Sequence, residues 1–188
     1  MPHINILKEM LKNSEVVPLE DHPYGKETKH VALTEREEYS VIVKGLPKEN
    51  SVIVLKIDNF PAPSKIFKCT KGECKRADFV IVFNGDNKKI IIFIELKSKS
   101  STKSKKHIIA QLKGAQCVMK YIEEVGKLYW NSEFLSNFEY RFVSLVDINV
   151  NKRTTRYSSS QKTHNTPEDM LIIKSPGNLY FKQLINNF

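Results

Sequence analysis

Two apolar runs, ADFVIVFN at residues 77–84 and KIIIFIELK at residues 89–97, constrain the fold more than any other part of the chain. Both are rich in Val, Ile and Phe, which suit a pleated and buried surface, and both have the length of a strand. Between them NGD, residues 84–86, is a turn signal, so the second run is expected to return antiparallel beside the first. A hairpin symmetric about residues 85–88 puts Asp78 directly opposite Glu95. Side chains two apart on a strand share a face, so Glu95 and Lys97 project together while Leu96 points the other way. The expectation is two carboxylates, roughly 5 Å apart at Cβ, with an ammonium beside them at one strand end.

The flanking segments supply the layers. SVIVLKID, residues 51–58, reads as the first strand of a three-strand meander, and YRFVSLVDI, residues 140–148, as a further buried strand. Between them HIIAQLKGAQCVMKYIEEV carries Ile108, Leu112, Ala115, Met119 and Ile122 as a helical stripe. Upstream, LTEREEYSVIVKGLP opens on Thr34 with Glu37 three positions later, a capping-box arrangement that predicts a helix over 35–44. Ile4, Leu7 and Leu11 give residues 4–12 the spacing of a short, peripheral helix. Residues 17–30, with Pro18, Pro23 and Gly25, read as loop. MLIIKSPGNLYF reads as a terminal hairpin around Pro176, Gly177 and Asn178. The expected fold is therefore α/β, a mixed central sheet flanked by helices. One domain accounts for all 188 residues, with its core over about 33–148 and a basic segment and hairpin over 149–188.

Charge narrows the partners. The chain has 30 Lys and Arg against 21 Asp and Glu, a formal charge of +9, which favours a polyanion such as nucleic acid. No run of about eighteen apolar residues appears, and MPHINILKEMLKNSEVV lacks the layout of a secretory signal, so a soluble cytoplasmic protein with no membrane association is expected. The cysteines, Cys69, Cys74 and Cys117, are three in number and are expected as thiols rather than as a disulfide framework or a zinc site. No GxxxxGK[ST] phosphate loop is present to drive an NTP-dependent machine.

The carboxylate pair carries the chemistry. Like charges facing each other across strands are destabilising, so Lys97 or a divalent cation must compensate. Mg²⁺ takes oxygen ligands from one or two carboxylates and keeps several waters, which suits Asp78 and Glu95 at an open strand end. The alternative at this spot is a strand-edge salt bridge between Glu95 and Lys97 with no function beyond structure.

RADFVIVFNGDNKKIIIFIELKSKS resembles the core motif of the PD-(D/E)xK nuclease superfamily. Asp78 matches the motif aspartate, Glu95 the acidic residue of the second half-motif and Lys97 its lysine, while Ala77 stands where the motif has proline. The restriction-endonuclease-like order of that family, α-β-β-β-α-β, maps onto residues 35–148. The resemblance implies a metal-dependent endonuclease using Mg²⁺ or Mn²⁺, with DNA as the favoured nucleic acid and a restriction or defence system as the setting. It also implies Asp78 and Glu95 as metal ligands, Lys97 as the group that positions water or offsets charge, and Gln111 on the helix after the lysine strand. A third carboxylate on the first core helix falls among Glu35, Glu37 and Glu38, with Glu38 best placed to face inward. Lys99, Lys103, Lys105 and Lys106, then Lys152, Arg153, Arg156 and Lys162, form two basic clusters suited to phosphates, with Tyr157 beside Arg156 available for stacking. Cutting both strands of a duplex needs two sites, hence a homodimer. The alternatives are a non-catalytic nucleic-acid-binding module of the same fold and a nuclease subunit that depends on a partner ATPase or helicase.

Overall fold

In a computed structural model, residues 2–21, 28–35, 39–98, 104–147, 163–174 and 176–185 are described. In chain order they form α1 (His3–Met10), β1 (Val16–Val17), β2 (Glu20–Asp21), β3 (Lys29–Glu35), β4 (Tyr39–Leu46), β5 (Val52–Lys56), β6 (Phe79–Asn84), β7 (Lys89–Lys97), α2 (Lys105–Tyr129), β8 (Glu139–Val146), β9 (Leu171–Lys174), β10 (Asn178–Tyr180) and α3 (Lys182–Ile185). The strands make two sheets, one ordered β1-β5-β6-β7-β8-β9 and the other β10-β4-β3-β2. The chain is thus a mixed α/β protein.

The larger sheet has a core on each face. The antiparallel β5-β6-β7 meander forms as the sequence predicts, and β8 then joins β7 in parallel after the α2 crossover. On one face Val80, Val82, Ile91, Phe93 and Phe142 pack with Ile4 and Leu7 of α1 and with Ile108, Leu112, Ala115, Met119 and Ile122 of α2. On the other, Phe79, Ile81, Ile92 and Ile94 pack against Val31, Leu33, Val41 and Val43 of the smaller sheet. Burial on both sides explains why β6 and β7 read as unbroken apolar runs rather than as an alternation. Among the described residues no helix is long and apolar enough to cross a membrane.

Four local expectations are overturned. Residues 35 and 39–44 lie in strands rather than a helix: β3 and β4 pair antiparallel, and Thr34, expected as an N-cap, pairs with Ser40 and donates its hydroxyl to the Ser40 hydroxyl at 3.1 Å. The deciding period is two rather than 3.6, because Tyr39, Val41 and Val43 face the second core in alternation. The N-terminal helix is not peripheral, since Ile4, Ile6 and Leu7 are fully buried. The terminal hairpin does not form either. β9 runs parallel to β8 in one sheet and β10 parallel to β4 in the other, so the chain crosses between sheets and buries Leu179 in the second core. Finally, Cys69 and Cys74 are joined by a disulfide, their Cα atoms 5.2 Å apart, while Cys117 is a free, exposed thiol. The turn through Gly72, at φ +96°, brings the two cysteines within bridging distance.

Candidate active site at the sheet edge

Strand direction gathers polar groups at one edge of the larger sheet. β5, β7 and β8 end there, and β6 begins there, immediately after Asp78. The pairing runs from Asn84↔Lys89 to Phe79↔Ile94, so its next step sets Asp78 opposite Glu95, the alignment expected from the symmetric hairpin. Phe79 and Ile94 face the second core, so Asp78, Glu95 and Lys97 face the side on which α2 lies. The Asp78 backbone is pinned by the Ile57 N–H, which donates to its carbonyl at 2.9 Å. Its side-chain Oδ2 accepts the Leu96 N–H at 2.6 Å.

Burial makes this cluster unusual. Glu95 is 0% exposed, Lys97 3% and Asp78 9%, in a class of residues that is rarely fully buried unless paired. Lys97 Nζ donates to Glu95 Oε1, while Glu95 Oε2 has no hydrogen-bond partner among the described residues. Desolvation pushes the Asp78 carboxyl up to about 6, against the pull of the Leu96 N–H and with further repulsion from Glu35. Desolvation and then the Asp78 charge push Glu95 up to about 9, although Lys97 draws it down. One of the two carboxyls therefore holds a proton near neutral pH when no cation is present.

Gln111, on α2, is 9% exposed and donates Nε2 to the Arg76 carbonyl at 3.4 Å, leaving its Oε1 unpartnered among the described residues. Lys105 and Lys106 open α2 and are exposed. Glu38, Lys99, Lys103, Lys152, Arg153, Arg156, Tyr157 and Lys162 lie outside the described residues. Ser98 and Asp147, which precede the two basic clusters, stand at the same edge, and the Asp147 N–H donates to the Lys97 carbonyl at 2.7 Å. Among the described residues of 35–44 no helix carries a third carboxylate. Glu35 instead comes from the end of β3 and adds negative potential at both Asp78 and Glu95.

No match to this chain is found among protein-family models, curated proteins or solved structures.

Sequence reasoning missed three groups. Ser144 pairs in register with Glu95, is fully buried, and has an Oγ without a partner among the described residues. Asp58, in the exposed turn after β5, has its carboxyl raised chiefly by desolvation, and its charge also raises Asp78. Arg76, two residues before Asp78, has its pKa lowered by burial. The signal for Asp58 was present, since it follows an apolar strand as Glu95 ends one. Ser144 had no local signal.

The residues fit a hard divalent cation in part. Glu95 Oε2 is a buried carboxylate oxygen with no donor among the described residues, and Asp78 faces it from the next strand. Among the described residues no group of three or more His, Cys, Asp or Glu side chains is arranged to hold a metal ion. Two carboxylates with the remaining positions filled by water is a Mg²⁺-like donor set rather than a Zn²⁺-like one.

Proposed function

We propose that the chain is a Mg²⁺- or Mn²⁺-dependent endonuclease of the PD-(D/E)xK kind that hydrolyses phosphodiester bonds in nucleic acid, DNA before RNA. The observation that carries this is the opposed Asp78–Glu95 pair at a buried sheet edge, with Lys97 bonded to Glu95 on the same face. A purely structural ion pair needs no second carboxylate beside it. Asp78 raises the free energy of an ionised Glu95, a cost that a cation-binding role accounts for. The order α1, β5-β6-β7, α2, β8 also suits a restriction-endonuclease-like core, with α1 in the place first expected at 35–44 and the smaller sheet as an addition.

Asp78 and Glu95 would hold the cation. When bound, it supplies a Lewis acid for the phosphoryl oxygen and lowers the pKa of a nearby water. Glu95 must first release the proton that it holds near neutral pH, so activity rises with pH from the acid side. Lys97, whose ammonium already reaches Glu95, offsets the charge that develops on the phosphate as water oxygen bonds to phosphorus and the sugar oxygen leaves. Gln111 keeps its Nε2 on the Arg76 carbonyl and leaves Oε1 to accept a hydrogen bond from the attacking water. Cutting both strands of a duplex would need two such sites and hence a homodimer, and a restriction or defence system is the proposed setting. A partner ATPase or helicase belongs to the version in which the chain cuts only within an assembly.

A non-catalytic nucleic-acid-binding module is the second reading, favoured by one observation: the Lys97–Glu95 pair is already closed and almost wholly buried. Cleavage of plasmid, linear duplex and single-stranded DNA, with and without Mg²⁺ or Mn²⁺, separates the two. Under the nuclease reading Asp78→Ala and Lys97→Ala each lower metal-dependent cutting by roughly 10²-fold or more. No cutting under any condition, with salt-sensitive binding retained, would leave the binding module.

A further inference from the structure

Residues 60–76 pack across the outer face of α2 and enclose, with it, a groove of about 1300 Å³. The proposed hydrolysis makes no use of it. Phe67 and Tyr121 line it while 51% and 71% exposed, and Phe60 adds a third ring. Large apolar rings exposed along one groove form the kind of apolar surface that marks an interaction site. The groove is also preformed. A Cβ on Gly114 would lie 1.6 Å from the Lys75 carbonyl oxygen, and one on Gly72 would lie 3.0 Å from Ala110 Cβ, so the loop sits directly on the helix. The Cys69–Cys74 disulfide closes the same loop.

The charge of the rim identifies the occupant. Lys71, Lys75 and Lys106 border the groove, and among its described lining residues the single acid is Glu73. That carboxylate accepts the Thr70 and Lys71 N–H groups at 3.1 and 2.8 Å, so it is turned back into its own loop. An apolar peptide would leave the rim cations without counter-charge. A nucleic-acid duplex would keep its bases stacked inside and leave the rings unused. Unpaired nucleotides use both, with bases against the rings and phosphates along the cations. Arg76 joins the groove to the sheet edge: it lines the groove, and its carbonyl accepts the Gln111 amide two residues before Asp78.

We propose that this groove holds a single-stranded segment of nucleic acid, with bases on Phe67 and Tyr121 and phosphates on Lys71, Lys75 and Lys106. This deepens the nuclease reading by naming the strand state of the substrate, and it rests on that reading for the chemistry at the groove's end but not for binding.

The test is fluorescence anisotropy of a labelled oligothymidylate and of a duplex of equal length, both in EDTA. The wild type is compared with Phe67→Ala/Tyr121→Ala and with Lys71→Ala/Lys106→Ala, all at exposed positions that leave the cores intact. The ring variant is expected to bind the single strand on the order of tenfold more weakly or worse, with duplex affinity unchanged. The lysine variant is expected to reduce the slope of log affinity against log salt by about 1.4. Equal losses on both ligands, no loss with the ring variant, or no binding of the oligothymidylate by the wild type at low salt would each overturn the inference. So would self-association of the wild type that the ring variant abolishes while leaving oligothymidylate binding intact, which would assign the groove to a second copy of the chain. Cutting with Mn²⁺ is scored separately on the same samples. Single-strand binding through the rings without any cutting keeps the groove and removes the nuclease, whereas cutting by a wild type whose ring variant binds normally removes the groove alone.

Discussion

Asp78 and Glu95 share a sheet edge that neither charge favours alone. Both carboxyls sit above their ordinary range in the folded chain, chiefly through burial. The folded state therefore binds more protons than the unfolded state once pH rises above about 4, where unfolded carboxyls titrate. The pair accordingly costs nothing at low pH, and its destabilising contribution grows from about pH 4 to the folded values, about 6 and about 9. Asp78→Asn keeps an acceptor for the Leu96 N–H and removes one charge. In metal-free buffer the variant should be more stable than the wild type at pH 8, by on the order of 2 kcal/mol, with the difference vanishing near pH 4. Urea unfolding at the two pH values measures it. A variant less stable than the wild type at both would show that packing rather than charge holds Asp78 in place. In the wild type, Mg²⁺ should raise the melting temperature more at pH 8 than at pH 5, because fewer protons compete for the carboxylates.

Where the 60–76 loop meets α2, the contact is backbone to backbone. Gly114 admits the Lys75 carbonyl where any Cβ would collide, and Lys75 and Arg76 lead directly into Asp78. Gly114→Ala should cost about 1–3 kcal/mol, the range for overpacking, and, under the proposed nuclease reading, should lower metal-dependent cutting with it through the Arg76–Gln111 contact. Gly177→Ala is the control, since a Cβ there meets nothing within 4 Å, and its effect should stay within about 0.5 kcal/mol. Thermal denaturation of both variants reads the comparison. The Cys69–Cys74 bridge restrains the same loop over a separation of five residues. Chain-entropy reasoning gives such a short loop roughly 2 kcal/mol, so reduction or Cys69→Ser should lower the melting temperature by several degrees.

Two cores back on to the same sheet, and β6 and β7 contribute to both. Damage to either is therefore felt by strands that hold the other. Phe93→Ala in the first core and Leu184→Ala in the second remove fully buried side chains, and each should cost about 2–5 kcal/mol. Circular dichroism and the fluorescence of Trp130, the single tryptophan, should report one coincident transition in both variants. Separate transitions would mean that the smaller sheet unfolds on its own.

The meander, its register, α2 and the placement of Asp78, Glu95 and Lys97 were legible in the sequence because their signals are local. Val- and Ile-rich runs, one NGD turn and a 3.6-residue stripe act over a few neighbours, and a two-residue period places Glu95 and Lys97 together whatever surrounds them. The segment Thr34–Glu37 carried a local helix signal that packing overrode, because Tyr39, Val41 and Val43 gain more by facing Ile81 and Ile92 than the capping box offers. β9 and β10 found partners far along the chain, β8 and β4, where no turn chemistry announces the pairing. Ser144 and Glu35 reach the carboxylate pair only because parallel β8 and the hairpin of the smaller sheet converge on the same edge. Sequence by itself determined which residues carry the charge and which strands carry them. The tertiary structure alone decided how deeply they are buried and what stands beside them, since desolvation and long-range pairing depend on contacts between segments that the chain holds far apart.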